Sequence, residues 1–205
     1  EFDEGPISLD AAAIPGGRFS VRPRGRVLFD TIFFDQTEAN IASVALVPGN
    51  RGLGNAPDFV GFNQARIGLE GEGYGNIFYE AELDIAGGGR PSVTDMYIGV
   101  ADLPLLGTLF VGNQRIDTSL ERVHSLEHHV FMERSVMQAL VPGRRPGVKF
   151  RNFTPGGRAT WALGLYRNGD DDYGNTLSNQ GNWLVASRAT FLPWYDDASE
   201  GRYWW

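Results

Sequence analysis

The sequence predicts an all-β chain, an antiparallel transmembrane β-barrel, on three observations. Apolar and polar residues alternate with period 2 over runs of about ten residues, longer than the usual soluble strand and about what a tilted strand needs to cross a bilayer. The links between runs alternate short and long, the layout of a barrel with tight turns at one end and extended loops at the other. Aromatic residues gather near the run ends, among them Phe33, Phe34, Tyr74, Trp183, Trp194 and Trp205, where interfacial girdles sit. A soluble antiparallel sandwich or barrel shows the same alternation and stays open as an alternative, because it can turn its charged face to water.

The first run, Arg18–Asp30, sets Arg22, Arg24 and Arg26 at alternate positions against Phe19, Val21, Val27 and Phe29. Alternate strand residues point to opposite faces, so one face is cationic and the other apolar. Gln64–Glu72 and Ile77–Ala86 repeat the pattern around the tight turn at 73–76 and read as a β-hairpin. Ser92–Val100 is the fourth strand, 101–107 a short link and Thr108–Gln114 the fifth strand. After a long segment come Gly147–Phe153, a turn at 154–157, Arg158–Arg167 and Trp183–Leu192. A ninth strand is expected to begin at Arg202–Trp205. The longer links fall at about 35–60, 86–91, 114–146 and 168–182.

Composition narrows the function. With 205 residues, 42% hydrophobic and 21% charged, the chain has the size and mix of one folded domain. It has no apolar run of about 18 residues, which excludes a membrane helix but not a barrel. The absence of Cys removes disulfides and Cys-based metal sites. A net charge of −7 without a basic stripe argues against a nucleic-acid partner. Lys149 is the one lysine beside seventeen arginines, a bias toward the planar fork that matches oxyanions. The start at Glu1-Phe2-Asp3, with no Met and no signal pattern, reads as processed or trimmed.

Several stretches resemble the phosphate-selective porin O and P family: Arg24-Gly25-Arg26, the runs Ala65–Gly88 and Thr94–Val123, Phe131–Ser135 and Pro142–Phe150. The resemblance covers most of the chain from Arg18 onward. It implies a 16-stranded outer-membrane barrel that assembles as a homotrimer, with a third extracellular loop folded into the lumen as a narrow anion path. On that footing residues 1–205 form one domain, the N-terminal half of a barrel. Residues 18–114 carry strands 1–5, 115–146 the constriction loop, and 147–205 strands 6–8 with the start of a ninth. The expected function is passive diffusion of small anions, phosphate first, across the bacterial outer membrane, with no catalysis and no cofactor.

The candidate anion pathway follows from register and loop content. Strand arginines Arg22, Arg24 and Arg26 would project into the lumen as a ladder at about 6.5 to 7 Å per step, and Arg66, Lys149, Arg151 and Arg188 share the inward register. In the loop, Arg115, Arg122 and Arg134 stand with Arg144 and Arg145 among Asp117, Glu121, Glu127 and Glu133. Those charges either pair and pin the loop to the wall or leave surplus guanidinium groups along the path. Arg66 is the strongest case for pairing with a lumen carboxylate such as Glu70 or Glu80, and a one-residue bulge would flip any of these assignments. Thr118-Ser119-Leu120-Glu121 has the form of a capping box, followed by an apolar stripe of Leu120, Val123, Val130, Val136 and Met137.

Weaker motifs compete. His124, His128 and His129 lack the metalloprotease spacing, Asp170–Asp172 lie in a loop whose glycine is misplaced for calcium, and the Asn152-Phe153-Thr154 sequon has no evident role. The other function classes are a scaffold or adhesion barrel with a plugged lumen, a general non-selective porin, and an outer-membrane barrel enzyme using the histidine cluster.

Overall fold

The structure, a computed structural model, describes residues 12–13, 19–45, 57–86, 91–124, 130–131, 134–167 and 182–193. Its strands are β1 (Ala12–Ala13), β2 (Ser20–Ile32), β3 (Phe59–Gly73), β4 (Ile77–Asp84), β5 (Ser92–Leu103), β6 (Gly107–Arg115), β7 (Arg144–Phe153), β8 (Ala159–Arg167) and β9 (Trp183–Phe191). They form one nine-stranded sheet in chain order, every neighbour antiparallel, and among the described residues it does not close on itself. A helix α1 (Glu38–Ala45) follows β2, and a single turn α2 (Leu120–Val123) follows β6. At 13 residues, β2 is about 43 Å long, and tilted by about 45° it covers roughly the 30 Å of a bilayer core.

Pairing fixes which side chains share a face. Val27, Ile67, Leu83, Val111, Val148, Leu165 and Val185 sit in outward registers, while Arg24, Arg66, Glu82, Phe110, Lys149 and Tyr166 sit in inward ones. The outward side is apolar and exposed: Val27 is 63% exposed, Val185 67% and Phe191 68%. The fully buried groups are instead polar or inner-facing, with Thr94, Gln114 and Tyr166 at or below 1%. Such inversion, greasy outside and polar inside, matches a sheet solvated by lipid on one side and water on the other. It removes the soluble sandwich, whose core would be apolar.

Three bulges adjust the alternation, the last of them in β5 between Val100 and Leu103, just ahead of the second hairpin turn. Between Leu28 and Phe29 the partner strand gains Asn63, so Phe62 and Ala65 both keep the outward face although three positions apart. The second lies between Ala81 and Leu83, where Thr94 and Asp95 together stand opposite Glu82.

Short turns close three hairpins. At the first, Tyr74 (φ 53°) and Gly75 (φ 88°) take the left-handed region a tight hairpin turn needs. The second is Pro104–Leu106, shorter than the expected 101–107 link because β5 runs on to Leu103. At the third, Gly157 N–H donates to Thr154 O at 2.9 Å. β3 begins at Phe59, well before the expected Gln64, and β7 at Arg144 rather than Gly147. Trp194, Tyr195, the expected ninth strand at 202–205 and the acidic run 170–172 lie outside the described residues.

Candidate functional site

The inner face of β2, β3 and β4 carries a ladder of both signs. Arg22 Nε lies 2.8 Å from Glu70, and Arg24 Nη1 lies 2.8 Å from Glu70 and 2.9 Å from Glu80. Arg66 meets Glu82 at 3.1 Å and Asp84 at 3.0 Å, partners other than the Glu70 or Glu80 expected from sequence. Thr94 Oγ1 also donates to Glu82 Oε1 at 2.8 Å, and the Tyr97 hydroxyl to Glu80 at 2.6 Å. Three arginines therefore face four carboxylates, and this part of the wall is slightly acidic. Arg26 differs: no carboxylate lies within ion-pair distance of it among the described residues, and its Nη2 donates to Gln64 at 3.0 Å.

The segment from Ile116 to Gly143, described at 116–124, 130–131 and 134–143, leaves the sheet at a pinched neck. Arg115 pairs with Arg144 across β6 and β7, and Ile116 N–H, in a residue wholly shielded from solvent, donates to Gly143 O at 3.2 Å. Lys149 Nζ clamps the neck from β7, donating to Arg115 O and to Asp117 Oδ1, both at 3.2 Å. Asp95 clamps it from β5: Arg144 grips its carboxylate through two hydrogen bonds at 3.1 and 2.7 Å, with Arg115 3.8 Å away. Val123 then lines a cavity of about 100 Å³ with Arg24, Glu80 and Tyr97, which places α2 over the inner face.

The loop's internal structure departs from the sequence reading. Ser119, not Thr118, is the N-cap, its Oγ accepting from Arg122 N–H at 3.2 Å, and the helix ends after one turn. Glu121, expected in a capping box, instead accepts from the N–H and Oγ of Ser135, both at 2.6 Å. No stripe forms: Val130, Val136 and Met137 are exposed, and Val136–Leu140 is a separate 3₁₀ turn. A helix this short gains little from periodicity, and the two crosslinks, Glu121 to Ser135 and Arg122 Nη2 to Val141 O at 3.0 Å, shape the loop instead.

This folding brings Arg134 beneath solvent and beside other cations. Burial, with Arg115, Arg122, Arg144 and Arg26 nearby, pushes its pKa down to about 10. The Nε donors of Arg134 and Arg26 are buried and meet no acceptor among the described residues. The expected pathway thus divides. Arg22, Arg24 and Arg66 stand among carboxylates and Lys149 grips Asp117, while Arg26, Arg115, Arg122 and Arg134 converge. Arg151 lines the cavity from β7, and Arg188 sits in an inward register on β9, opposite Ala162 and distant in sheet order from β2. His128, His129, Glu127 and Glu133 lie outside the described residues, and no group of three metal-ligating side chains occurs among those described.

Sequence reasoning missed Asp95, the carboxylate that holds both neck arginines. The signal was a break in alternation, since Thr94 and Asp95 are adjacent polar residues that only a bulge can bury together.

A chain with this inverted sheet, inward loop and arginine convergence was compared with known families and proteins. No curated protein matches it closely. The family model for phosphate-selective porin O and P matches residues 38–198, most of the chain, and the chain belongs to that family.

Proposed function

We propose that this chain is part of an outer-membrane porin whose arginine convergence passes small anions by passive diffusion, with phosphate the preferred ion. The observation that carries the reading is the convergence of Arg26, Arg122 and Arg134 with the Asp95-held Arg115 and Arg144, in which the buried Nε donors of Arg26 and Arg134 meet no acceptor among the described residues. Like charges crowd together at a cost unless an anion shares the site, and guanidinium forks match the oxygens of phosphate. In a narrowed lumen the same charges raise the local anion concentration and replace part of the hydration shell. The mixed ladder on β2–β4 supplies a rigid wall rather than the ion path.

An open sheet edge in lipid leaves backbone groups without partners, so this reading includes further strands, sixteen in all as the family resemblance implies. A bacterial outer-membrane location and a homotrimeric assembly belong to the same reading. Reconstituting the full-length porin in a planar bilayer and measuring its reversal potential across a salt gradient tests it. An anion-selective potential, with chloride current blocked by phosphate, is expected. Anion selectivity without phosphate block would remove phosphate preference alone. A cation-selective or silent barrel would overturn the reading in favour of a scaffold.

A further inference from the structure

Beside the cations, the inner wall carries three aromatic rings that an inorganic ion does not need. Phe78 on β4 and Phe110 on β6 stand on either side of Gly99 on β5, in one cross-strand row. With no side chain at Gly99 to separate them, the two rings meet edge to face at 5.2 Å. A Cβ there would collide with the Phe78 ring, so the glycine is what seats it. Tyr97 joins both, at 6.2 Å from Phe78 and 5.5 Å from Phe110. All three are half-buried and inward, so neither the lipid-facing band nor an interfacial girdle accounts for them.

The next residue of that row is Lys149, whose Nζ lies 4.8 Å from the centre of the Phe110 ring. Phe110 and Tyr97 also line the 100 Å³ cavity with Arg24, Arg115, Lys149 and Arg151. Its three carboxylates are engaged already: Glu80 by Arg24 and Tyr97, Asp95 by Arg144, and Asp117 by Lys149. A flat apolar wall therefore adjoins a rim of four cations and three carboxylates, net cationic, in which Arg24 is shared with Glu80 and Lys149 with Asp117. We propose that this cavity is a subsite for organic anions that carry a flat, unsaturated body, the anionic head meeting the cations and the body lying on Phe110 and Tyr97. The subsite rests on the anion-passing reading above and adds a class of larger permeant or blocking anion.

The test compares three blockers of chloride current through the full-length porin in a bilayer: inorganic phosphate, methyl phosphate and phenyl phosphate. Phenyl phosphate should block at a concentration about 3- to 10-fold below methyl phosphate, the value of one good ring contact. Phe110→Leu, which keeps apolar bulk but no ring, should bring the two esters together and leave inorganic phosphate unchanged. Tyr97→Leu serves as a second, independent removal. Equal block by both esters in the native porin, or a preference that survives both variants, overturns the subsite while anion passage stands. Failure of all three blockers in an anion-selective porin overturns the subsite and the phosphate preference together, while a cation-selective or silent porin overturns the anion reading itself.

Discussion

Replacing Arg134 with Ala separates the convergent arginines from the paired ones. A hydrogen bond from a guanidinium to an anion contributes about 1.5–3 kcal/mol net, so losing one should raise the phosphate concentration for half-block about 10- to 100-fold. The same change should leave the anion-free fold no weaker. The field and burial that push Arg134 down to about 10 represent roughly 3 kcal/mol of disfavour at full strength. Solvent screening of a partly exposed side chain cuts that to about 1–2 kcal/mol, returned to the fold when the charge is removed. Because the folded state disfavours the charged form, the unfolded chain holds this proton more tightly. Stability conferred by losing it therefore rises as pH climbs through about 10 and is absent at neutral pH. Phosphate block should run the other way, flat once phosphate's second ionisation near neutrality is complete and weakening above pH 10 as Arg134 discharges. Bilayer titration gives the block, and urea unfolding in vesicles gives the stability. Arg134→Ala with block within twofold of native, or with lower anion-free stability, would refute the site.

Other substitutions probe the wall and its supports. Lys149→Met leaves Asp117 buried without its partner and should cost about 3–5 kcal/mol, read as faster proteolysis of the loop, whereas pairing it with Asp117→Asn should recover much of the loss. Gly68→Ala places a Cβ 2.6 Å from the Ala81 carbonyl oxygen, a backbone atom that cannot swing aside, and should lower stability by about 1–3 kcal/mol in urea unfolding. Leu163→Arg, on the outward face in mid-strand, should cost about 2–4 kcal/mol on folding into vesicles, while Thr160→Arg, on the inward face of the same strand, should cost far less. If the two arginines cost the same, the assignment of faces is wrong.

The faces of the sheet were legible in the sequence and the fate of individual charges was not, for one physical reason. Alternation is a local property: each of Val27, Ile67 and Leu163 declares its side from its immediate neighbours, because a strand has period 2. Strand order followed because short links force neighbours to pair. Ion pairing is decided across the sheet by register, and Arg24 reaches Glu70 and Glu80 only because β3 and β4 slide to one alignment among several that alternation allows. Arg22, Arg24 and Arg26 look identical along the chain. Yet the first two face Glu70, whereas Arg26 stands opposite Arg66, which itself holds Glu82 and Asp84 of β4.

The loop was harder still, since nothing periodic fixes it. Its path is set by Asp95 and Lys149, residues of the flanking strands rather than of the loop, and by the Glu121 to Ser135 crosslink within it. These ties hold the convergent arginines in place. Each clamp spends a carboxylate or a backbone carbonyl on the neck, and the Nε donors of Arg134 and Arg26 meet no acceptor among the described residues. Had Asp95 faced Arg134 instead, that arginine would be paired and the neck loose. On the anion-passing reading, selectivity and loop position thus draw on the same few acidic side chains.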